Sequence, residues 1–335
     1  MIRLSIITVL TRLLSISRNC IARRFSRINK SSCKDHLNNG VKSEGKTFTL
    51  REAKMFNTST LGYKLMSGYF KSHSEQLNKY VAGLFDSDGS VGLAFKEHSN
   101  GRGSVYLQLT IGLSASTDPD FTLLRALCNH YRLGKVYYAL SNSPIAKSSL
   151  GSWRLNSKES KKFLNVIMKH LLIKGSHADN LLWLVDELDG YTIKWDVLNE
   201  LREFSKCSRD NSKWLKKPKH PSWPWLAGYL DGDGHYRCRL NSVRKGSTSL
   251  RNELKLFVGA SITDGFILEF LKEHIGGSLR LRKDSLWFLQ LALGKGSRVY
   301  AIKFLKQMQK YCCLENKHRV ICSMLNYHLP AETKQ

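Results

Sequence analysis

The spacing of apolar and polar positions changes along the chain, and the same order of changes occurs twice. Apolar residues at helical spacing lead into alternating, strand-like stretches after "YVAGLFDSDGSV" from Tyr80 and again after "WLAGYLDGDGHY" from Trp225. A second helical run, two short strands and an amphipathic stretch follow in both places. Each part therefore predicts the order helix, strand, strand, helix, strand, strand, helix, which indicates an internal repeat.

The repeat predicts an α+β protein with two pseudo-symmetric αββαββα halves, at residues 75–204 and 223–330. The first half closes with two further helical patterns, "ADNLLWLVDELDG" and "KWDVLNELREF". Residues 205–222 are basic, contain proline and lack periodicity, so we interpret them as a linker between the halves. Residues 35–70 are polar and weakly patterned, which predicts a flexible basic arm.

Small residues interrupt the apolar helix that opens each half. Ala82 and Gly83 lie in the first helix, and Ala227 and Gly228 occupy the aligned positions of the second. A glycine inside a helix costs up to about 1 kcal/mol relative to alanine, and this cost is tolerated where another backbone approaches closely. We therefore expect the two helices to pack against each other at these positions.

Such packing would bring the two helix ends together and carry Asp88 and Asp233 to one place. Carboxylates at helix C-termini are unfavourable, and a hard divalent cation such as Mg²⁺ would relieve their repulsion. Turn chemistry could explain one Asp-Gly pair. An EF-hand loop would need glycine where Val91 and Tyr236 stand. Because the pair occurs twice after the same kind of helix, we favour a shared metal site beside a phosphate backbone.

The overall charge indicates a polyanionic partner. The chain has 335 residues, with 53 Lys and Arg against 27 Asp and Glu, a formal net charge of +26. This excess favours nucleic acid over an anionic membrane surface, and no apolar run is long enough to span a bilayer. A basic ribosomal-type component without catalysis is the alternative. The eight cysteines show no zinc-binding spacing, which favours reduced thiols.

The first 34 residues have the composition of a targeting segment. They are rich in Ser, Leu and Ile, are punctuated by arginines, and contain no Asp or Glu. This pattern is typical of an organellar transit peptide, for which we expect the mitochondrion, with the chloroplast as the alternative. The remaining interpretations are a basic arm that binds nucleic acid and translated sequence upstream of the functional start.

The nonamers "VAGLFDSDG" (81–89) and "LAGYLDGDG" (226–234) resemble the motif of the LAGLIDADG homing endonucleases, in the single-chain, two-motif, intron-encoded form. The resemblance implies motif helices packed at the centre and two four-stranded antiparallel sheets forming a saddle over DNA. It also implies Mg²⁺-dependent cleavage of both strands, with Asp88 and Asp233 as catalytic acids and metal ligands. Asp86 and Asp231 would then be structural.

The same family carries a basic residue near each scissile phosphate, at the end of each half. Lys174 in "LLIKGS" and Lys317 in "LENKHR" are the candidates, although they do not align residue for residue. We expect both of them to be catalytic.

Strand alternation supports a DNA-binding face. After Asp233, one face of the predicted strand carries only polar or basic residues and no acid, whereas the aligned strand of the first half is blander. We therefore expect a long, non-palindromic double-stranded DNA target. The candidate DNA-binding residues are Ser90, Lys96, Tyr106, Gln108, His235, Arg237, Arg239, Asn241, Arg251 and Lys255.

Three functions are compatible with this sequence. The first is a monomeric, site-specific homing endonuclease that uses Mg²⁺. The second is an RNA maturase that assists splicing of a group I intron on the same scaffold, and the third is a non-catalytic DNA-binding relic. Since a pure maturase can lose either carboxylate and this chain keeps both, the sequence favours cleavage.

Overall fold

The structure is a computed structural model. It describes residues 46–48, 74–98, 102–139, 149–189, 191–212, 220–242, 250–261, 265–276, 278–281, 286–290 and 298–328. The expected transit peptide at 1–34 lies outside the described residues, as does the expected arm at 35–70 except for its residues 46–48.

The first half contains every element that the repeat predicts, with additions at both ends. A short strand, β1 (Lys46–Phe48), precedes the motif helix α1 (Ser74–Asp88). The predicted order continues through β2 (Gly89–Glu97), β3 (Arg102–Ser114), α2 (Thr122–Tyr131), β4 (Lys135–Ala139), β5 (Leu150–Leu155) and α3 (Ser157–Ile167). Further along lie α4 (Gly175–Glu187), β6 (Ile193–Lys194) and α5 (Trp195–Ser212).

The second half repeats the same order, beginning with the motif helix α6 (Trp223–Asp233). It continues through β7 (Gly234–Ser242), β8 (Leu250–Ser261), α7 (Gly265–Ile275), β9 (Ser278–Leu281), β10 (Leu286–Gln290), α8 (Arg298–Tyr311) and α9 (Glu315–His328). The α+β class and the two αββαββα halves are therefore confirmed.

The second sheet has the four strands expected, whereas the first has six. The second sheet runs β7-β8-β10-β9; the first runs β1-β4-β5-β3-β2, and β6 also pairs with β3. The first sheet thus contains the four predicted strands, β2 to β5, and two short strands that the sequence did not predict, β1 and β6. Backbone groups on a strand edge need partners: β1 pairs along β4, and β6 pairs with Arg102 and Gly103 at the start of β3.

Part of the segment predicted as a linker is helical. Helix α5 continues through residues 205–212, the beginning of the segment that we expected to be aperiodic. Ser208 is buried there, with its hydroxyl 3.1 Å from Nδ1 of His177 and accepting a hydrogen bond from Asn180 Nδ2 at 3.0 Å. These tertiary contacts with α4 stabilise a helical turn that its sequence predicts poorly.

The motif helices α1 and α6 cross at the centre of the molecule, as the sequence predicted. A Cβ atom on Gly83 would overlap the backbone carbonyl of Trp225, and one on Gly228 would overlap that of Tyr80. Ala82 and Ala227 are buried beside this crossing. Only glycine permits so close an approach of two backbones, so both glycines are required by packing.

Each sheet packs one face against helices. In β3 the side chains of Leu107, Leu109, Ile111 and Leu113 are buried, while those between them are more exposed. In the second half the side chain of Tyr236 in β7 is buried. The opposite face of the first sheet is therefore left available for a partner. Among the described residues, no helix is both long enough and apolar enough to cross a membrane.

Candidate active site and nucleic-acid interface

The two motif acids lie together where the central helices end. Helix α1 ends at Asp88 and α6 ends at Asp233, and each leads directly into the first strand of its half. Oδ2 of Asp88 would be 2.7 Å from a Cβ placed on Gly232, so the first acid touches the end of the second helix. The sequence expectation that the crossing brings these two carboxylates together is met.

The surroundings raise the pKa of Asp88 to about 6. Burial is the main cause, because it disfavours the charged carboxylate, and the negative charge of Asp233 adds to it. The ammonium groups of Lys317 and Lys174 oppose both effects. The arrangement thus holds two acids close enough to repel each other, next to two compensating cations.

Asp86 and Asp231 have a different environment, in which both carboxylates are fully enclosed. Asp86 accepts hydrogen bonds from the backbone N–H groups of Leu172 and Lys174, both at 2.8 Å. Asp231 accepts from the N–H groups of Cys313, at 2.8 Å, and Leu314, at 3.2 Å. Each carboxylate therefore ties the end of its motif helix to a turn late in its own half, which fits the structural role expected from the sequence.

Burial raises the pKa of both enclosed carboxyl groups, although their hydrogen bonds favour the charged form. For Asp86 the opposing contributions come from the backbone N–H groups and the charge of Lys174. For Asp231 the charge of Lys317 is the largest opposing contribution. Both acids are thus held by the protein itself, so neither is available as a ligand in the way that Asp88 and Asp233 are.

The two candidate lysines occupy equivalent places although they do not align in the sequence. Nζ of Lys174 donates to the carbonyl oxygens of Phe85, Ser87 and Gly89, at 2.9, 3.0 and 2.7 Å. Nζ of Lys317 donates to the carbonyl oxygens of Leu230, Asp231 and Gly232, at 2.7, 2.5 and 3.2 Å, and the first and last of these align with Phe85 and Ser87.

Each ammonium therefore directs its three N–H bonds to the end of a motif helix, where carbonyl groups lack helical partners. Burial lowers the pKa of Lys317, and neighbouring carboxylates, Asp231 foremost, oppose that shift. In this state the lysines compensate the helix termini and the paired acids. The expectation that they contact the scissile phosphates stays a prediction.

The donor set fits a hard divalent cation. The two motif carboxylates converge, and the part of the chain that the structure describes contains no cluster of three or more His, Cys, Asp or Glu side chains suited to a metal ion. Mg²⁺ is commonly bound by one or two carboxylates together with water and phosphate oxygens. Asp88 and Asp233 therefore suit a cation that is completed by a nucleic-acid backbone.

The strand register of the first half places its candidate DNA-binding residues on one face. Gln108 pairs with Gly92, and Tyr106 pairs with Ala94, so these positions share the face opposite the buried leucines of β3. The side chain of Gln108 is exposed. Lys96, also exposed, lies near the outer end of β2, whereas Ser90 is two residues from Asp88.

Two basic residues on this face were missed by the sequence analysis. Thr110, the register partner of Ser90, pairs with Arg154, and Arg154 pairs with Lys135. Both basic side chains are exposed, and the guanidinium of Arg154 lies 5.1 Å from the centre of the Tyr137 ring. Alternation in "SWRLNS" could have suggested Arg154. Its place in the same register row as Ser90, two residues from Asp88, follows only from the strand pairing.

In the second half the register pairs the candidates of β7 with those of β8. Arg237 pairs with Lys255 and Asn241 pairs with Arg251, so all four positions lie on one face of the sheet. His235 of β7 shares that face through its pairing with Phe257. Glu253 of β8 pairs with Arg239 of β7. The face therefore includes one acidic position, although β7 itself contributes none.

Comparison with known proteins agrees with this architecture. No protein-family model and no curated protein matches the chain. A structure of the I-SmaMI LAGLIDADG homing endonuclease bound to cleaved DNA is similar over 77% of this chain and 90% of that chain, with a TM-score of 0.59 and 17% identity. A structure of the LAGLIDADG meganuclease I-AabMI bound to uncleaved DNA is similar over 75% of this chain and 90% of that chain, with a TM-score of 0.52 and 18% identity.

A further structure, of I-SmaMI bound to an uncleaved DNA target in the presence of calcium ions, covers 76% of this chain and 94% of its own, with a TM-score of 0.54 and 17% identity. Similarity at this level of identity establishes the fold. The crossing helices, the paired acids and the two sheets lead to the same conclusion. This chain has the fold of the LAGLIDADG homing endonucleases, with both motifs in one polypeptide.

Proposed function

We propose that this protein is a site-specific homing endonuclease that hydrolyses both strands of double-stranded DNA with the help of Mg²⁺. The observation that carries the proposal is the convergence of Asp88 and Asp233 at the ends of two crossing helices, each of which leads into the first strand of a sheet. Three similar solved structures, two of the LAGLIDADG homing endonuclease I-SmaMI and one of the LAGLIDADG meganuclease I-AabMI, contain bound DNA.

The chain's own residues supply binding and orientation. Asp88 and Asp233 would hold the divalent cation, and the basic sheet faces would bind the phosphate backbone on either side of it. Lys174 and Lys317 fix the helix ends that carry the acids and compensate part of their charge. A bound divalent cation would supply charge neutralisation at the reacting phosphate.

Cleavage of DNA from the source organism tests the proposal. The full chain is incubated with that DNA and Mg²⁺, and broken ends are mapped by sequencing. We expect breaks at one or a few long, non-palindromic sites. Asp88→Asn and Asp233→Asn should each lower the cleavage rate by about a thousandfold or more, because each removes a charged ligand from a site that acts as a unit.

Asp120→Asn is a matched control for these substitutions. Asp120 is exposed and has a φ of 58°, a conformation that asparagine also tolerates, so this variant should cleave as the unaltered protein does. Specific breaks that persist in both Asp88→Asn and Asp233→Asn would contradict the assigned roles. If no breaks form, the maturase becomes the favoured function. Binding and splicing of group I intron RNA would then test it.

We further propose that the protein acts as a monomer inside an organelle, the mitochondrion in the first instance. Two motifs in one chain supply both acids without a second copy, and residues 1–34 are basic and contain no acid. A fusion of residues 1–34 to a fluorescent protein should accumulate in mitochondria. Cytosolic or plastid fluorescence would contradict that destination.

A further inference from the structure

Two aromatic residues connect the halves of the molecule in a reciprocal way. Tyr80 in α1 and Trp225 in α6 occupy aligned positions, each six residues before the enclosed aspartate of its own motif. Both side chains are fully buried. Because the helices cross at Gly83 and Gly228, each aromatic side chain lies against the other half.

Each aromatic residue donates a hydrogen bond to the enclosed aspartate of the opposite motif. The hydroxyl of Tyr80 lies 2.6 Å from Oδ2 of Asp231, and Nε1 of Trp225 lies 3.1 Å from Oδ2 of Asp86. Different donor groups, a phenol and an indole, make the same connection in opposite directions. The repetition indicates that the connection belongs to the architecture of both sites.

The connection continues from each enclosed aspartate to the acid that follows it. Asp231 also binds the backbone of Cys313 and Leu314, in the turn that precedes Lys317. Lys317 in turn donates to the carbonyl oxygen of Gly232, immediately before Asp233. A side chain of the first half thus supports the lysine and the acid of the second half.

The reverse path runs from Trp225 to the site of the first half. Asp86 binds the backbone of Leu172 and Lys174, and Nζ of Lys174 donates to the carbonyl oxygens of Ser87 and Gly89. These two residues flank Asp88. Each motif acid is therefore held by a chain of contacts that begins in the other half.

We propose that Tyr80 and Trp225 are positioning residues that couple the two cleavage centres, so that both are ordered in the same bound state and the two strands are cut together. The inference rests on the proposed function. Loss of one donor leaves a buried carboxylate one hydrogen bond short, so the turn and lysine beyond it lose part of their support. The defect should then appear in the half opposite the substitution.

Strand-resolved cleavage tests the coupling. With a supercoiled plasmid carrying the mapped target, the unaltered chain should form linear product with little nicked intermediate. Tyr80→Phe removes only the hydroxyl and should slow cleavage of one strand by about tenfold, so nicked circles accumulate. Trp225→Phe keeps an aromatic ring beside Tyr229 and should slow the other strand.

Tyr131→Phe is the matched control, because the Tyr131 hydroxyl donates to Asn78 Oδ1 at 2.8 Å, a contact within the first half. It removes a tyrosine hydroxyl bond without touching either enclosed aspartate, and should leave the two strand rates equal. Reciprocal strand preference is an effect that a general loss of stability does not produce. Equal slowing of both strands by Tyr80→Phe and Trp225→Phe would overturn the proposal.

Hydrogen–deuterium exchange of the full chain gives a second readout that does not depend on cleavage. Tyr80→Phe should speed exchange at the amides of Cys313 and Leu314, in the other half, by about tenfold, whereas Tyr131→Phe should not. Unchanged exchange at these amides in a folded Tyr80→Phe variant would also overturn the coupling. If the chain cuts no DNA, the proposed function is contradicted, whereas the exchange measurement still tests the coupling between the halves.

Discussion

Asp88 shows, at the level of a single residue, how a proposed metal ligand opposes stability. Its carboxyl group has a pKa of about 6 in the folded protein against an ordinary value of 3.8. The folded state therefore binds this proton more tightly than the unfolded state does, and stability falls as pH rises from about 4 to about 6. Above that range the whole cost of the buried charge is present.

Asp88→Asn should consequently stabilise the protein near pH 7.5 when EDTA removes divalent cations. We expect its free energy of unfolding to exceed that of the unaltered chain by about 1–3 kcal/mol at that pH, and the difference to vanish near pH 4. Urea denaturation at the two pH values measures this. An Asp88→Asn variant that is no more stable at pH 7.5 would show that the acid pair is not strained.

Added Mg²⁺ should reduce or reverse the difference in the free energy of unfolding between Asp88→Asn and the unaltered chain. A cation that binds only the folded, unaltered site stabilises it in proportion to ligand concentration, whereas the variant lacks one of the two carboxylates. Asp120→Asn, which lies outside the site, should respond to EDTA and Mg²⁺ as the unaltered chain does. This comparison separates metal binding from a general effect of removing an acid.

At the level of elements, the crossing of α1 and α6 sets the geometry of everything around it. Gly83→Ala would place a methyl group on the Trp225 carbonyl, and the helices could accommodate it only by moving apart. We expect a loss of about 1–3 kcal/mol in the free energy of unfolding, the usual cost of overpacking a tight core. Chemical denaturation measures this loss.

Gly92→Ala provides the matched glycine substitution. A Cβ at Gly92 would meet no atom within 4 Å, so the added methyl group should be neutral or slightly stabilising. If Gly83→Ala were as stable as Gly92→Ala, the close approach of the two helix backbones would be contradicted. DNA cleavage by Gly83→Ala should fall as well, because the motif acids depend on the same crossing.

Sequence pattern predicted most of these elements, because they are long and each carries its own period. The two motif helices, the central strands and the helices α4 and α5 all follow from local spacing. Strand β6 has two residues, too few to show a period, and it forms through pairing with β3. The equivalence of Lys174 and Lys317 was also hidden, since the aligned copies differ in length before the lysine.

The reciprocal bonds of Tyr80 and Trp225 were beyond sequence reasoning for a different reason. Both residues read as ordinary apolar positions of a buried helix, and their polar atoms gain meaning only when the crossing places them against the opposite aspartates. The convergence of Asp88 and Asp233 was predictable, because the motif and its duplication are visible in the sequence. Local signals therefore identified the acids, and three-dimensional contacts identified what supports them.

For the whole molecule, excess positive charge and two sheet faces determine how DNA would be held. Arg154 and Lys135 lie in one register row with Ser90, next to the motif acid. If each contacts a phosphate, Arg154→Ala and Lys135→Ala should each reduce the slope of log K against log salt by about one. Binding titrations of the mapped target in EDTA, at several salt concentrations, measure the slope.

Lys158→Ala is the corresponding charge control. Lys158 is exposed on α3, a helix whose buried residues pack into the core that lies under the sheet. Its removal changes net charge by the same amount and should leave the slope unaltered. Equal slopes for Lys158→Ala, Arg154→Ala and the unaltered chain would place the DNA contacts elsewhere on the first half.

The glycine crossing also constrains how such a chain can change over generations. The nearest atoms to a Cβ at Gly83 belong to the backbone of Trp225 and Tyr229, and those at Gly228 belong to the backbone of Tyr80 and Leu84, so a second substitution cannot shorten them. A duplicated gene segment normally frees one copy to drift. In this molecule each motif helix packs against the other, so the substitutions that one half tolerates are limited by the half that it faces.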